Sequence, residues 1–303
     1  MGRRSATAQL SAFVAYMVGR GMAASTCDKY VQDVMQLQRH VKGVAVSKTF
    51  ALSAVLRGAR ATMGPAKAKA VLSAEQLMVM LHPLRCDDAD SLCLRTAILF
   101  QFAGGWRVSS VTANPTLRHT LRLGDVCLYP SRHRPSVVSV WERSSKTVQP
   151  GTESPRDTWV GSVPEHPSRC PVAHFVLWLR FIAKYRVLAP DTPLFVMESG
   201  YALAADQVNK FLRRRCVELG WPEDLVRSHS LRVSTASNLR VAGASTRAVY
   251  HHCGWSLPGE NAVAERTYNR EGRALVEGLS SQMFSTEASQ FARGDPVLVA
   301  GAR

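Results

Sequence analysis

Apolar residues recur in this chain at helical spacing, in short segments that glycine, proline or a capping residue closes before any of them grows long. The longest unbroken apolar run, Ala12 to Val18, has seven residues, against the roughly 20 that a membrane-spanning helix needs. The pattern predicts packed amphipathic helices and no segment that crosses a bilayer. Arg3 and Arg4 ahead of this run imitate a signal peptide, but Leu10, Phe13, Val14, Met17 and Val18 share one helical face. Ala6 stands where a myristoylation signal has Ser or Thr. At 303 residues, 46% apolar and 20% charged, the chain can build two domain cores and is no disordered basic tail.

Local signals place the elements. Ser25 to Asp28 has the form of a capping box and precedes Tyr30, Val34, Leu37 and Val41 at helical spacing, which predicts a second helix. A third, from about Ser47, carries Phe50, Val55 and Leu56. Gly64, Pro65, Lys67 and Lys69 then read as a linker. Ser73 to Gln76 is another capping box, and Asp87, Asp88 and Asp90 precede a long apolar helix ending at Phe102, where their charge suits a helix N-terminus. Val138 and Val140 alternating with Ser139, then Thr158 to Val160, predict a small antiparallel sheet. Pro171 opens an amphipathic helix through Ile182, and another carries Val208, Phe211 and Leu212. The expected fold is mainly α with a small antiparallel β-hairpin sheet. After about residue 290 a mobile tail is expected.

Lys and Arg number 38 against 23 Asp and Glu, a formal charge of +15. Such an excess favours a polyanionic partner, because cations on a phosphate backbone release condensed counterions. The cysteines Cys27, Cys86, Cys93, Cys127, Cys170, Cys216 and Cys253 are scattered and odd in number, with no C-x-x-C pair, so neither a disulfide framework nor a zinc site is expected, and a reducing compartment is. There is no P-loop, no H-E-x-x-H, no G-x-S-x-G and no carboxylate set spaced for two metals. No metal or cofactor is expected.

H-x-x-R, which on a helix can bring an imidazole and a guanidinium to one phosphate, occurs four times, at His82, His119, His166 and His229. Pro follows His82 and His166, and His119 lies beside a predicted turn. His229-Ser230-Leu231-Arg232 differs: it starts a helix with Leu231, Ala236 and Leu239 inward, and Gly254-Trp255 and then Tyr268 follow it. Upstream stand Phe102-Ala103-Gly104-Gly105-Trp106-Arg107-Val108-Ser109-Ser110, and Lys146 in Ser144-Ser145-Lys146-Thr147 after a strand.

In this order the residues resemble the tyrosine recombinase (phage integrase) superfamily, whose catalytic domain carries an Arg in a G-x-R-x-x-E pattern, a hairpin Lys, H-x-x-R, a His or Trp, and a nucleophilic Tyr. The resemblance covers nearly the whole chain. It departs at Ser110, where the family has an acid, and in the 13 residues from Trp255 to Tyr268, a longer separation containing Pro258 and Gly259. Trp255 takes the place of the second His, as in Cre-like members. Tyr268 is the only tyrosine after it.

The resemblance implies catalytic roles for Arg107, Lys146, His229, Arg232, Trp255 and Tyr268. It implies an N-terminal helical core-binding domain over 1–63, a linker over 64–72, a catalytic domain over 73–290 and the tail 291–303. Double-stranded DNA is the implied partner, with self-association on it from dimer to tetramer, in the nucleus of a eukaryote or the cytoplasm or nucleoid of a bacterium or phage host. Lys67, Lys69, Lys210, Arg213 and Arg214 are candidate phosphate contacts, although basic runs are also ordinary solvated faces. Two other readings stay open: a DNA-binding protein that has kept the scaffold without turnover, and a type IB topoisomerase-like relaxing enzyme.

Overall fold

The chain divides into two units, Met1–Lys67 and Ala68–Arg303. In this computed structural model, which describes residues 6–43, 47–62, 69–113, 120–142, 156–255, 283–284 and 297–299, the first unit consists of α1 (Ala6–Gly19), α2 (Ala24–Lys42) and α3 (Phe50–Thr62). Leu10, Val14 and Met17 of α1 pack on Cys27 and Val31 of α2 and on Leu52, Leu56 and Ala59 of α3. The Asp28 carboxylate takes Lys48 at 2.6 Å and Arg60 at 3.0 Å, joining α2 to both ends of the α3 segment.

That role replaces the expected capping box. The second helix starts at Ala24 with Ala23 at its N-cap and no side-chain cap. Its buried stripe is Cys27, Val31 and part of Val34 and Met35, while Tyr30, Leu37 and Val41 lie exposed. Both stripes have helical spacing; burial follows the side on which α1 and α3 pack. Phe50 is likewise exposed, with the Arg57 guanidinium 5.5 Å from its ring centroid.

The second unit is built around α5 (Ala89–Gly104), apolar and buried on nearly all sides. An all-round hydrophobic helix belongs at the centre of a core. Around it lie α4 (Ala74–Leu81), the single turn α6 (Val108–Val111), α7 (Pro171–Ile182), α8 (Ala205–Glu218), α9 (Ser228–Val241) and α10 (Thr246–Cys253). Ser73 and Gln76 form the expected capping box of α4, and Asp88 caps α5 by accepting from the Ser91 N–H at 2.7 Å. Phe100 of α5 lies 4.7 Å from Phe175 of α7 and 5.6 Å from Trp106, ring centroid to centroid.

The sheet has three antiparallel strands in the order β2 (Val126–Tyr129), β3 (Val137–Glu142) and β4 (Arg156–Gly161), one strand more than the expected pair. Val126 and Thr158 both pair with Val140. Val137, Val138, Ser139 and Val140 are all buried, because the central strand is covered on both faces and alternation loses its meaning there.

Residues 69–71, read from composition as linker, form β1 (Lys69–Val71), antiparallel to β5 (Val297–Val299) inside the segment expected to be a mobile tail. Small basic residues around Gly64-Pro65 hid a short strand whose Ala70, Val71 and the following Leu72 are buried. The Leu72 N–H donates to Ser234 Oγ at 2.8 Å and its C=O accepts from Asn238 Nδ2 at 2.7 Å, so two polar side chains of α9 satisfy this backbone as a neighbouring strand would. Among the described residues no helix is long and apolar enough to cross a membrane.

His174 of α7 is buried, with its Nε2 2.9 Å from the Ser168 carbonyl, which makes that nitrogen the donor. Burial holds the ring below its ordinary pKa, the Ser168 bond opposes this, and the Arg95 charge adds to the lowering. The unfolded chain therefore takes up a proton below its ordinary value of 6.5 while the folded chain does not, and stability falls as pH drops from there toward the folded value. In urea unfolding at about pH 7.5 and about pH 5.5, His174→Gln should lose distinctly less stability across the interval than the unaltered chain. An equal loss would place the acid sensitivity elsewhere.

Candidate active site

An α-helix leaves its last carbonyls without intrahelical donors, and in a buried helix they must be met by something else. At the end of α5 the Gln101 carbonyl accepts from the N–H of Gly105, which caps the helix in the left-handed conformation at φ 59°, and from that of Trp106 at 3.2 Å. The next carbonyls are taken by side chains from far along the chain. Thr235 of α9 donates to Phe102, His252 of α10 lies 2.7 Å from the Ala103 carbonyl, and Arg232 Nη1 donates to Gly105 at 2.6 Å. In return Gln101 Nε2 donates to the Ser228 carbonyl in the first turn of α9 at 2.8 Å.

Arg232 is the centre of this junction. Only 2% exposed, it also donates through Nη2 to the Cys253 carbonyl at 2.5 Å, and its guanidinium carbon lies 5.5 Å from the Trp255 ring centroid. Gly105 and Gly254 are the left-handed C-caps of α5 and α10. The cation thus lies where the negative ends of two helix dipoles meet, which offsets much of its cost of burial. Each cap is followed by a tryptophan. Trp106 folds back into the core over Gly104, where a Cβ would stand 2.6 Å from its ring, while Trp255 is half-buried and meets Tyr250 edge-on at 5.4 Å.

Of the residues singled out from sequence, the structure brings together Arg232, Trp255 and the backbone leading into Arg107. Arg107, half-buried, is the N-cap of α6, two residues beyond the Gly105 carbonyl that Arg232 holds. His229 is exposed on the first turn of α9, one turn before Arg232. Lys146, Tyr268 and Lys67 lie outside the described residues, and Lys69 is described only as backbone of β1.

The basic face of α8 is ion-paired. Lys210 meets Asp206 at 2.7 Å, Arg213 meets Asp224 at 3.6 Å and Arg214 meets Glu218 at 3.5 Å. Exposed pairs of this kind contribute little to stability, but they make the face nearly balanced in charge.

Sequence reasoning missed Glu142. Its carboxylate, 2% exposed at the end of β3, accepts from Ser110 Oγ at 2.6 Å. Ser110 is thereby tied to a carboxylate from another element. It missed Gln101, Thr235 and His252 as well; the available signal was polar residues falling on otherwise inward helix positions. Among the described residues no group of three or more His, Cys, Asp and Glu side chains could hold a metal ion.

No protein-family model matches the chain, and no curated protein matches it. Solved structures do. It is similar to the XerH site-specific recombinase bound to palindromic difH substrate in a post-cleavage complex, with TM-score 0.58 and 17% identity over 91% of this chain and 71% of that one. The Tn1549 transposon integrase in complex with circular intermediate DNA matches with TM-score 0.54 and 14% identity, covering 87% and 84%. A lambda integrase dimer bound to a COC′ core site matches with TM-score 0.52 and 14% identity, covering 88% and 80%. At such identities the likeness establishes architecture: the chain has the tyrosine recombinase (integrase) fold, helical with a small three-stranded antiparallel sheet.

A Cβ at Gly105 would stand 2.9 Å from Cys253 Sγ and 3.3 Å from Thr235 Cγ2, at a positive φ that disfavours any side chain. Gly105→Ala should therefore cost about 2 to 4 kcal/mol in urea unfolding, from backbone strain and overpacking together. A variant as stable as the parent would show that the junction is loosely packed.

Proposed function

We propose that a chain with this fold and this buried arginine junction is a site-specific DNA recombinase or integrase, of the kind carried by mobile elements, that cleaves and rejoins strands through a 3′-phosphotyrosyl intermediate. The observation that supports it most is Arg232, fixed by the carbonyls of Gly105 and Cys253 against Trp255. One cation thereby draws together the three separated segments that carry Arg107, Arg232 and Trp255. Phosphoryl transfer without a metal needs cationic donors held in place before charge develops, and the carbonyls of Gly105 and Cys253 hold the Arg232 guanidinium in place.

In this reading Tyr268 attacks the scissile phosphorus, passing its proton to His229, which serves as general base or as a phosphate donor. The bond to the 5′-oxygen breaks and Lys146 protonates the departing oxygen. Arg107 and Arg232 stabilise the nonbridging oxygens, and the Trp255 indole N–H donates to one of them. The phosphotyrosyl bond stores the energy of the broken linkage, so religation by a 5′-hydroxyl needs no cofactor.

Double-stranded DNA is the proposed substrate, with self-association on it. The Met1–Lys67 unit carries ten Lys and Arg against Asp28 and Asp33, so about half of the chain's excess charge lies in under a quarter of its length. With the face of α8 balanced by carboxylates, the first unit is the stronger candidate for backbone contacts, and binding should weaken with salt.

A nicked suicide duplex bearing the sequence that the purified chain selects from a random pool tests the reaction. The unaltered chain should yield an SDS-resistant protein–DNA adduct, and Tyr268→Phe should bind the duplex equally and yield none. An undiminished adduct from Tyr268→Phe would remove the nucleophile assignment. Binding without an adduct from either chain would indicate a scaffold that binds without turnover, and relaxation of supercoils without a preferred site would indicate a topoisomerase-like activity.

A further inference from the structure

A carboxylate is an expensive group to place at the buried end of a strand, and an apolar residue would close the sheet at lower cost. Glu142 is nevertheless 2% exposed, and the acceptor end of a 2.6 Å hydroxyl–carboxylate bond from Ser110, itself 4% exposed. Bonds of this length to an ionised acceptor are roughly twice as strong as neutral ones. Ser110 is in turn tied to Arg107: its N–H donates to the Arg107 carbonyl at 2.9 Å, closing the single turn of α6. Arg107 begins that turn without a side-chain cap of its own.

A continuous path therefore runs from the Arg107 carbonyl through the Ser110 N–H and hydroxyl to the last residue of β3. In sequence that residue stands four positions before Lys146. We infer that Glu142 is a positioning residue: from β3 it supplies the carboxylate that fixes the Arg107 turn. The inference rests on the recombinase reading and deepens it. Ser110 is then not a lesion in the site. One hydrogen bond anchors the turn to a carboxylate supplied by β3. A contact that only filled space would change folding and binding together, whereas a positioning contact acts on the chemical step, where small misplacement of a donor costs much rate.

The test uses the full chain and the same nicked suicide duplex, measuring the rate of adduct formation at saturating protein, the Kd for the duplex and the melting temperature. Glu142→Gln should slow adduct formation about tenfold or more while Kd stays within about twofold. The exchange Ser110→Glu with Glu142→Ser, which conserves the composition and volume of the pair, should restore most of the rate. Ser110→Ala and Ser110→Thr give the same contrast without altering the strand: the alanine variant should be slow and the threonine variant, which keeps the hydroxyl, close to the parent.

Glu142→Gln or Ser110→Ala reacting at the parental rate would overturn the inference, as would an exchange no faster than Glu142→Gln. A fall in rate matched by equal losses of affinity and melting temperature would reduce Glu142 to a packing role. If the unaltered chain forms no adduct at all, the recombinase reading falls and this inference with it. An adduct from the unaltered chain with no effect of either substitution removes the inference alone.

Discussion

The second unit depends on what meets the exposed carbonyls at the end of its central helix. The last turn of α5 is buried, so water is not available to it, and each carbonyl left unmet there would cost about 1 to 3 kcal/mol. Thr235, His252 and Arg232 accept this task for Phe102, Ala103 and Gly105. Because the three come from two other helices, satisfying one helix end also fixes the placement of α9 and α10 against α5. The candidate site occupies that junction, and its central cation is one of the capping groups.

The same device recurs. Arg95 donates to the carbonyls of Leu81 and Leu84 at 2.9 and 3.2 Å, and Arg215 to those of Met80 and Val79 at 2.9 and 3.1 Å, so two buried guanidinia close the end of α4. A buried cation facing the negative end of a helix is favourably placed. Part of the positive excess thus points inward and supports the architecture. A net charge read from composition measures the attraction to a polyanion only after such residues, and the paired cations of α8, have been set aside.

The elements best legible in the sequence were those governed by neighbours in the chain. The Ser73 capping box, Asp88 before α5, Pro171 at the start of α7 and the helix beginning beside His229 depend on contacts within a turn, and all are present. Ser25 to Asp28 has the same local form, yet α2 starts uncapped at Ala24, and the Asp28 carboxylate meets Lys48 and Arg60 from the α3 segment instead. The third strand, and the pairing of residues 69–71 with 297–299, were hidden for a related reason: short strands draw their hydrogen bonds from distant partners.

By itself the sequence determined a mainly helical chain without a spanning segment, the order of the basic and aromatic residues from Arg107 to Tyr268, and the two departures from the pattern, at Ser110 and in the long separation of Trp255 from Tyr268. Tertiary structure decided which of these meet. It put Arg232 between two helix ends and beneath Trp255, and gave Ser110 the carboxylate of Glu142, 32 residues away. Capping and helical periodicity act over a few residues and leave a mark in the local pattern. A buried hydrogen bond between distant segments is specified only by the packing that excludes water from both ends, and no spacing in the chain records it.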